Sequence, residues 1–515
     1  MHTSNAARIA AAFLAFLPLV VGPTPQGDTP VTVQVKTWVQ REWTDPAVTL
    51  FRRRGDFYSL DSLLPDHNGL LQRAPDWSTQ EATHAQIENI QAGFWDDENN
   101  RYVFIGQDIG TPATKIVATY YSSTWTLASV YDLVGATNAL GGKHLHNCVY
   151  WGGDLYVIGA NKKVYRGSSY TTALAEFYAT TDAYLLAPAG DRMYLVTEAG
   201  KVLRLNSSDN AFETHYTPIG TMDIQFMTAF RGYLLIAARG DDGTLHLYRL
   251  PDAATDAPAT LAQLAHIPGT GDIPEYGLPF AVFDDELYFF PGRTQRYDND
   301  RDVPIFKFNG SRIEPVATLT NDPDNPETIG LTVWNDHLVW YELDDSTTQT
   351  FKVLVGNRFV DLPSLTTTAS TGYKPWVGTM GAGELVVSGW DADSEGLYHL
   401  GGTFAAAESP LADGNVVTSW LDLDLPGRQK RLEQISVVLD GKAADFKVLV
   451  KYRTDDATSW TTATTGNNTT VVRATTIGAD FYKIQVRVDL DDDTGSQQDI
   501  RIAGISVTYT RPGEG

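Results

Sequence analysis

Residues 148–159 read CVYWGGDLYVIG, an apolar run, a Gly-Gly-Asp turn and a second run opening on Leu and Tyr. Six further stretches repeat that phrase: GFWDDENNRYVFIG (93–106), LLAPAGDRMYLVT (185–197), MTAFRGYLLIA (227–237), AVFDDELYFF (281–290), LTVWNDHLVWY (331–341) and VGTMGAGELVVSG (377–389). Each is a β-hairpin signal, because β-branched and aromatic residues flank turn residues that tolerate positive φ or hydrogen-bond their own backbone. The tyrosine or its counterpart falls at Tyr102, Tyr156, Tyr194, Tyr233, Tyr288, Val339 and Val386, an irregular period within the range of a repeat array.

Most copies are followed by a third and a fourth apolar run, as in KIVATYYSSTWTLASVYDL (115–133) and TFKVLVGNRFVDLPSL (350–365). Four short strands per repeat make the blade of a β-propeller, in which every sheet packs on two neighbours and only short outer edges remain. The expected fold is therefore all-β, a propeller over residues 85–405 with seven blades as the expected count. Six or eight stay open, because the seventh copy (Trp376 to Phe404) is short and a strand at Val31 to Val39 could complete a blade from the other end.

Composition agrees with this reading. A chain of 515 residues exceeds one ordinary core, so two or three domains are expected. Forty-four Gly, 24 Tyr and 12 Trp suit a turn-dense β protein, and helical periodicity is scarce. The formal net charge of −24 disfavours general nucleic-acid binding. A single cysteine, Cys148, excludes an intrachain disulfide and leaves the compartment open.

Residues 1–30 form an apolar N-terminal segment: IAAAFLAFLPLVV (9–21) precedes the polar stretch GPTPQGDTP, the layout of a secretory signal or, alternatively, of an apolar arm that docks on a neighbour. The run is too short to span a bilayer as a helix. Residues 31–84 form an N-terminal β segment. Past Ser409 the hairpin phrase disappears, and residues 411–512 read as about seven alternating strands, among them DFKVLVKYRT and FYKIQVRVDL, the pattern of an antiparallel β-sandwich. Pro410 and Gly414 mark the expected linker, which makes the C-terminal part an independently folding unit.

The strings TSWLDLDLPGRQKRLEQISV, VLVKYRTDDATSW and FYKIQVRVDLDDDTGSQQDIRIAGISVTY together resemble the C-terminal sandwich of tailed-bacteriophage virion proteins, the tail, tail-tip and neck components. Residues 68–75, NGLLQRAP, are similar to a segment that precedes propellers in phage nozzle and tail-hub proteins. The resemblance implies a virion protein that contacts copies of itself and other tail proteins. It carries no catalytic residues to transfer, and the apolar N-terminus is not a feature such proteins generally need.

Chemistry-bearing motifs are few. There is no phosphate-binding loop, no H-E-x-x-H and no G-x-S-x-G, so no catalytic or cofactor-binding residue is assigned and no cofactor is expected. His144, His146 and Cys148 alternate along one strand and would share a face, three soft ligands without a visible fourth. Asp298, Asp300 and Asp302 alternate in RYDNDRD, and Asp322 and Asp324 sit in NDPDNPE. Asp489, Asp491, Asp492 and Asp493 crowd the turn before Gly495, which makes Asp489, Asp491 and Asp493 the metal candidates, with an incomplete calcium set. The cluster Arg52, Arg53 and Arg54 is the basic exception, expected at an acidic neighbour.

Two functions compete at this point. One is a non-enzymatic structural component of a phage tail or neck, located in the virion and assembled as a ring. Its partners are copies of itself and other tail proteins, with host-surface glycan as a further one. The other is a secreted propeller with an appended carbohydrate-binding sandwich, a lectin or glycan-degrading enzyme that holds its ligand near the propeller axis or by exposed aromatics.

Overall fold

The computed structural model describes residues 31–35, 57–61, 63–65, 71–77, 81–82, 84–108, 115–132, 147–206, 208–218, 222–240, 243–250, 262–267, 279–290, 302–320, 329–335, 337–342, 348–355, 358–366, 376–380, 383–391, 394–400, 414–418, 420–423, 427–440, 447–467, 471–491 and 501–510. The apolar segment 1–30 and the arginine cluster lie outside them. Among the described residues every regular element is a strand, and no helix is long and apolar enough to cross a membrane.

Each quoted phrase forms the first two strands of a four-stranded antiparallel blade, and the blade of 329–361 lies within a larger sheet. In chain order the sheets span 87–132, 148–178, 183–216, 223–267, 280–320, 329–361 and 377–400, which we number blades one to seven. The hairpin signal is legible in backbone angles. Gly152 and Gly153 have φ of 61° and 86°, and in blade five Asp284 and Asp285 take the same turn at 51° and 59°. Both central residues at positive φ give the turn whose twist matches that of the flanking strands.

Ring closure follows from the side chains. Alternation along each second strand sends successive residues to opposite neighbours. Leu155 and Val157 of blade two pack against Val103 and Ile105 of blade one, while Tyr156 and Ile158 pack against Leu186 and Leu195 of blade three. Seven such inter-blade cores run from blade one round to seven, and the last joins Trp376, Val386 and Leu397 of blade seven to Ile87, Tyr102 and Phe104 of blade one. The residue three places beyond the turn faces the next blade in every case: Val103, Tyr156, Tyr194, Leu235, Tyr288, Val339 and Val386. Five of these are the positions chosen from sequence. Tyr102 and Tyr233 are not, because they stand nearer their turns, opposite Trp95 and Phe230.

The closing seam has its own geometry. Trp376 lies against Gly93 of blade one and Gly378 of blade seven, and a Cβ built on either would come within 2.5 Å and 2.3 Å of its indole. Gly378→Ala is expected to destabilise the ring by about 1–3 kcal/mol through overpacking, read as a lowered urea midpoint.

Blade seven supplies only three strands of its own, and its fourth is Glu81–Ala82, antiparallel to Leu397 and Gly396. The expectation that Val31 to Val39 completes a blade is therefore corrected. Val31–Val35 instead pairs with Ile505 to Tyr509 near the C-terminus. A two-residue pairing so far from its partner in sequence carries no local pattern to read.

The C-terminal region is likewise not self-contained. One sheet holds Lys430–Asp440, Val471–Phe481 and Arg501–Thr510, extended by Val31–Val35, Leu63–Pro65 and Leu71–Arg73. The other holds Gly414–Thr418, Lys447–Thr454, Thr461–Asn467 and Ile484–Asp491, extended by Phe57–Asp61. Both contribute to one core, with Ile435, Val437 and Val507 from the first and Val448, Val486 and Val488 from the second. Strands of the 31–84 segment thus belong to sheets that the sequence assigned to 411–512 alone.

That core continues into the propeller. Phe57–Asp61 pairs in parallel with the outer strand of blade six through Asp61 and Asp361, and Val355 and Val360 of that blade are buried in the same core. The Leu-Leu-x-Arg-x-Pro stretch is the crossing point: Leu71 belongs to the C-terminal core, and Ala74 with Trp77 belongs to the seam between blades six and seven. Trp77 packs on Phe351 with ring centroids 4.6 Å apart, and its Nε1 donates to the Pro363 carbonyl at 2.7 Å.

Candidate interaction sites

Of the metal candidates, Asp489 is described in full and is already engaged: its Oδ1 accepts from Arg487 Nε at 2.5 Å and its Oδ2 faces Lys451 Nζ at 2.6 Å. Asp491 pairs by backbone with Lys447, and Asp492 and Asp493 lie outside the described residues. Both oxygens of Asp489 would have to exchange a cationic partner for calcium, which wants six to eight oxygen ligands. Millimolar calcium is expected to leave the melting temperature unchanged, and a rise abolished by Asp489→Asn would contradict this.

His144 and His146 lie outside the described residues, as do Asp298, Asp300, Asp322 and Asp324. Cys148 is buried in the core between blades one and two, and burial pushes its thiol up to about 12, away from the thiolate a metal requires. Asp302 begins a strand of blade five. Among the described residues no group of three His, Cys, Asp or Glu side chains is placed to hold a metal ion.

Polar groups of the ring instead tie it together. Asp96, at the first turn of blade one, accepts from the Tyr170 hydroxyl of blade two, from Asn99 Nδ2 at 2.8 Å and from Arg101 Nε at 3.1 Å. Burial raises its pKa, and those hydrogen bonds outweigh burial and leave it lowered. In blade two Arg166 pairs with Asp154 and lies over Tyr156 and Phe177. In blade five Lys307 pairs with Glu286 at 3.0 Å. Across the closing seam Tyr102 donates to the buried Glu384 at 2.5 Å, and burial followed by that carboxylate holds the phenol well above its ordinary range.

Three surface features remain. An open pocket of about 420 Å³ lies between blades three and four at the strand ends remote from the hairpin turns, lined by Tyr184, Glu198, Met222, Asp223, Arg239, Gly240 and Gly243. Glu198 on its wall is paired with Lys162 at 2.6 Å. The hairpin-turn face of the ring is mainly acidic: Asp97, Glu98, Asp191, Asp284 and Asp285 are all exposed, with Arg192 3.9 Å from Asp191 and the exposed Arg231 donating to the Asp285 carbonyl at 2.9 Å.

The third feature is a cation–aromatic stack at one end of the C-terminal unit. The Arg453 guanidinium lies 4.7 Å from the Trp460 ring and 5.3 Å from the Trp420 ring, and Lys483 Nζ stands 4.8 Å from Trp420. Arg453 Nε donates to Gln485 Oε1 at 2.7 Å, and the buried Gln485 returns its Nε2 to the Thr418 carbonyl at 3.0 Å. Tyr482, half exposed, adjoins Lys483 in the turn before the next strand. Four separate segments build this stack, so no single window of sequence displays it. The available signal was Thr-Ser-Trp, which occurs at both 418–420 and 458–460.

Fold and sites together define a seven-bladed β-propeller with a two-sheet C-terminal unit built onto blade six. Solved structures similar to it include the WD40 domain of Toxoplasma gondii coronin, at 10% identity and a TM-score of 0.42, covering 66% of this chain and 88% of that one. A chain of a mitotic checkpoint complex is similar at 11% identity and a TM-score of 0.40, covering 63% of this chain and 94% of that one. No protein-family profile matches the sequence, and no curated protein matches it.

Proposed function

We propose that this chain is a non-enzymatic interaction component of a multi-subunit particle, the tail or neck of a virion. The observation that carries the reading is the continuity of blade six with the C-terminal unit through Phe57–Asp61 and a shared core. A catalytic propeller needs only its ring and a site near the axis. Here two stiff modules are joined by a sheet and by the Leu71 to Trp77 crossing, which suits a part that fixes the spacing of its neighbours. The virion placement rests on the resemblance of residues 68–75 and of the C-terminal strands to phage tail proteins.

A glycan-binding function, secreted and extracellular, is the second reading, favoured by the gathering of Trp420, Trp460 and Tyr482 at one end of the C-terminal unit. Particles purified on a density gradient from the native source decide between them. Comigration of the chain with particles at a fixed copy number is the expected result. A chain absent from particles that binds or cleaves a polysaccharide as a monomer contradicts the first reading and favours the second.

A further inference from the structure

We propose that Arg453 is a carboxylate-docking residue, and that its occupant is the acidic hairpin-turn face of a second copy of this chain. The inference deepens the assembly reading and rests on it. Arg453 is held on three sides: two indole rings cover the guanidinium and Gln485 fixes Nε. Among the described residues neither terminal nitrogen has an acceptor, although the side chain is only partly exposed. A guanidinium whose rotamer is locked in advance loses little entropy on binding, and its free edge offers two parallel N–H donors that match a carboxylate.

The neighbouring acids do not fill that place. Asp455 Oδ1 accepts the backbone N–H groups of Tyr482 and Lys483 at 2.8 Å and 3.1 Å, and Asp456 pairs with Lys483 Nζ at 3.0 Å. Trp, Tyr and Arg are the residue types that anchor interfaces, and all three gather here. Charge selects the occupant. The chain carries a net charge of −24, and Asp97, Glu98, Asp191, Asp284 and Asp285 stand exposed on one face of its ring. A contact from the C-terminal unit of one copy to the turn face of the next is heterologous, so it closes into a ring or runs on as a filament.

Sedimentation of the full chain tests this, with Arg453→Met, Arg453→Lys and the double variant Asp284→Asn with Asp285→Asn, each checked for an unchanged melting temperature. The parent is expected to self-associate, and more weakly as salt rises from about 0.05 M to about 0.5 M. Arg453→Met should weaken association by roughly tenfold or more, with Arg453→Lys between, because lysine keeps the charge and loses the fork. The double variant should weaken it from the other side, since asparagine still accepts the positive φ of that turn.

Association unaffected by Arg453→Met, or by the double variant, overturns the proposal and leaves the assembly reading standing. A parent that stays monomeric also overturns the proposal, whatever else it binds. If it binds polygalacturonate and Arg453→Met does not, the site takes an acidic glycan. If it is monomeric and absent from particles, the assembly reading falls as well.

Discussion

A fragment beginning at Leu411 will not fold when produced alone, and its circular dichroism will lack the strand signal of the intact chain. It would lose Val31–Val35 from along Arg501–Thr510, Phe57–Asp61 from along Gly414–Thr418, and the fully buried Leu63 and Leu71 from the core. Removing a buried leucine side chain costs about 2–5 kcal/mol, and a whole domain is stable by about 5–15 kcal/mol. Two lost leucines together with two unpaired strand edges therefore remove most of that margin. A cooperative melting transition in the isolated fragment would show that the N-terminal strands are ornament.

The second large effect is expected at Trp77. It fills the seam between blades six and seven beside Phe351, and Trp77→Ala removes that ring and the hydrogen bond to Pro363. The expected loss is about 3–5 kcal/mol from the cavity and about 1 kcal/mol from the hydrogen bond. Trp77 also stands next to a stretch that enters both cores, Leu71 to Ala74, as Leu63 and Leu64 do. Urea unfolding should therefore move to a clearly lower midpoint. A single transition at the parental midpoint would contradict the role assigned to this residue.

What could be read from the sequence was whatever is local. Two-residue turns need positive φ and announce themselves as Gly-Gly, Arg-Gly or Asp-Asp, and the alternation beyond them fixes which side chains enter which seam. Tyr102 and Tyr233 depart from the equivalent positions because turn position, not residue type, decides which neighbour a side chain faces. Pairings between distant segments were not legible. Glu81–Ala82 is too short to carry a period, and Leu63–Pro65 gains its place only when Leu71–Arg73 and the C-terminal strand are beside it.

The site was harder to read for the same reason. Acids crowd Asp489 in sequence, yet in space it is neutralised by Lys451 and Arg487. Arg453 carries no local signal, since its neighbours Trp420, Trp460 and Gln485 come from other strands and loops.

The proposed role requires ring and C-terminal unit to form one body that is repeated in a larger assembly. Electron cryo-microscopy of the full chain from its native source tests it most directly. The expected map holds copies related by symmetry, each with seven four-stranded blades, the seventh closed by residues 81–82, and blade six running on into the C-terminal unit. Isolated copies whose C-terminal unit takes no fixed position against the ring would contradict the claim.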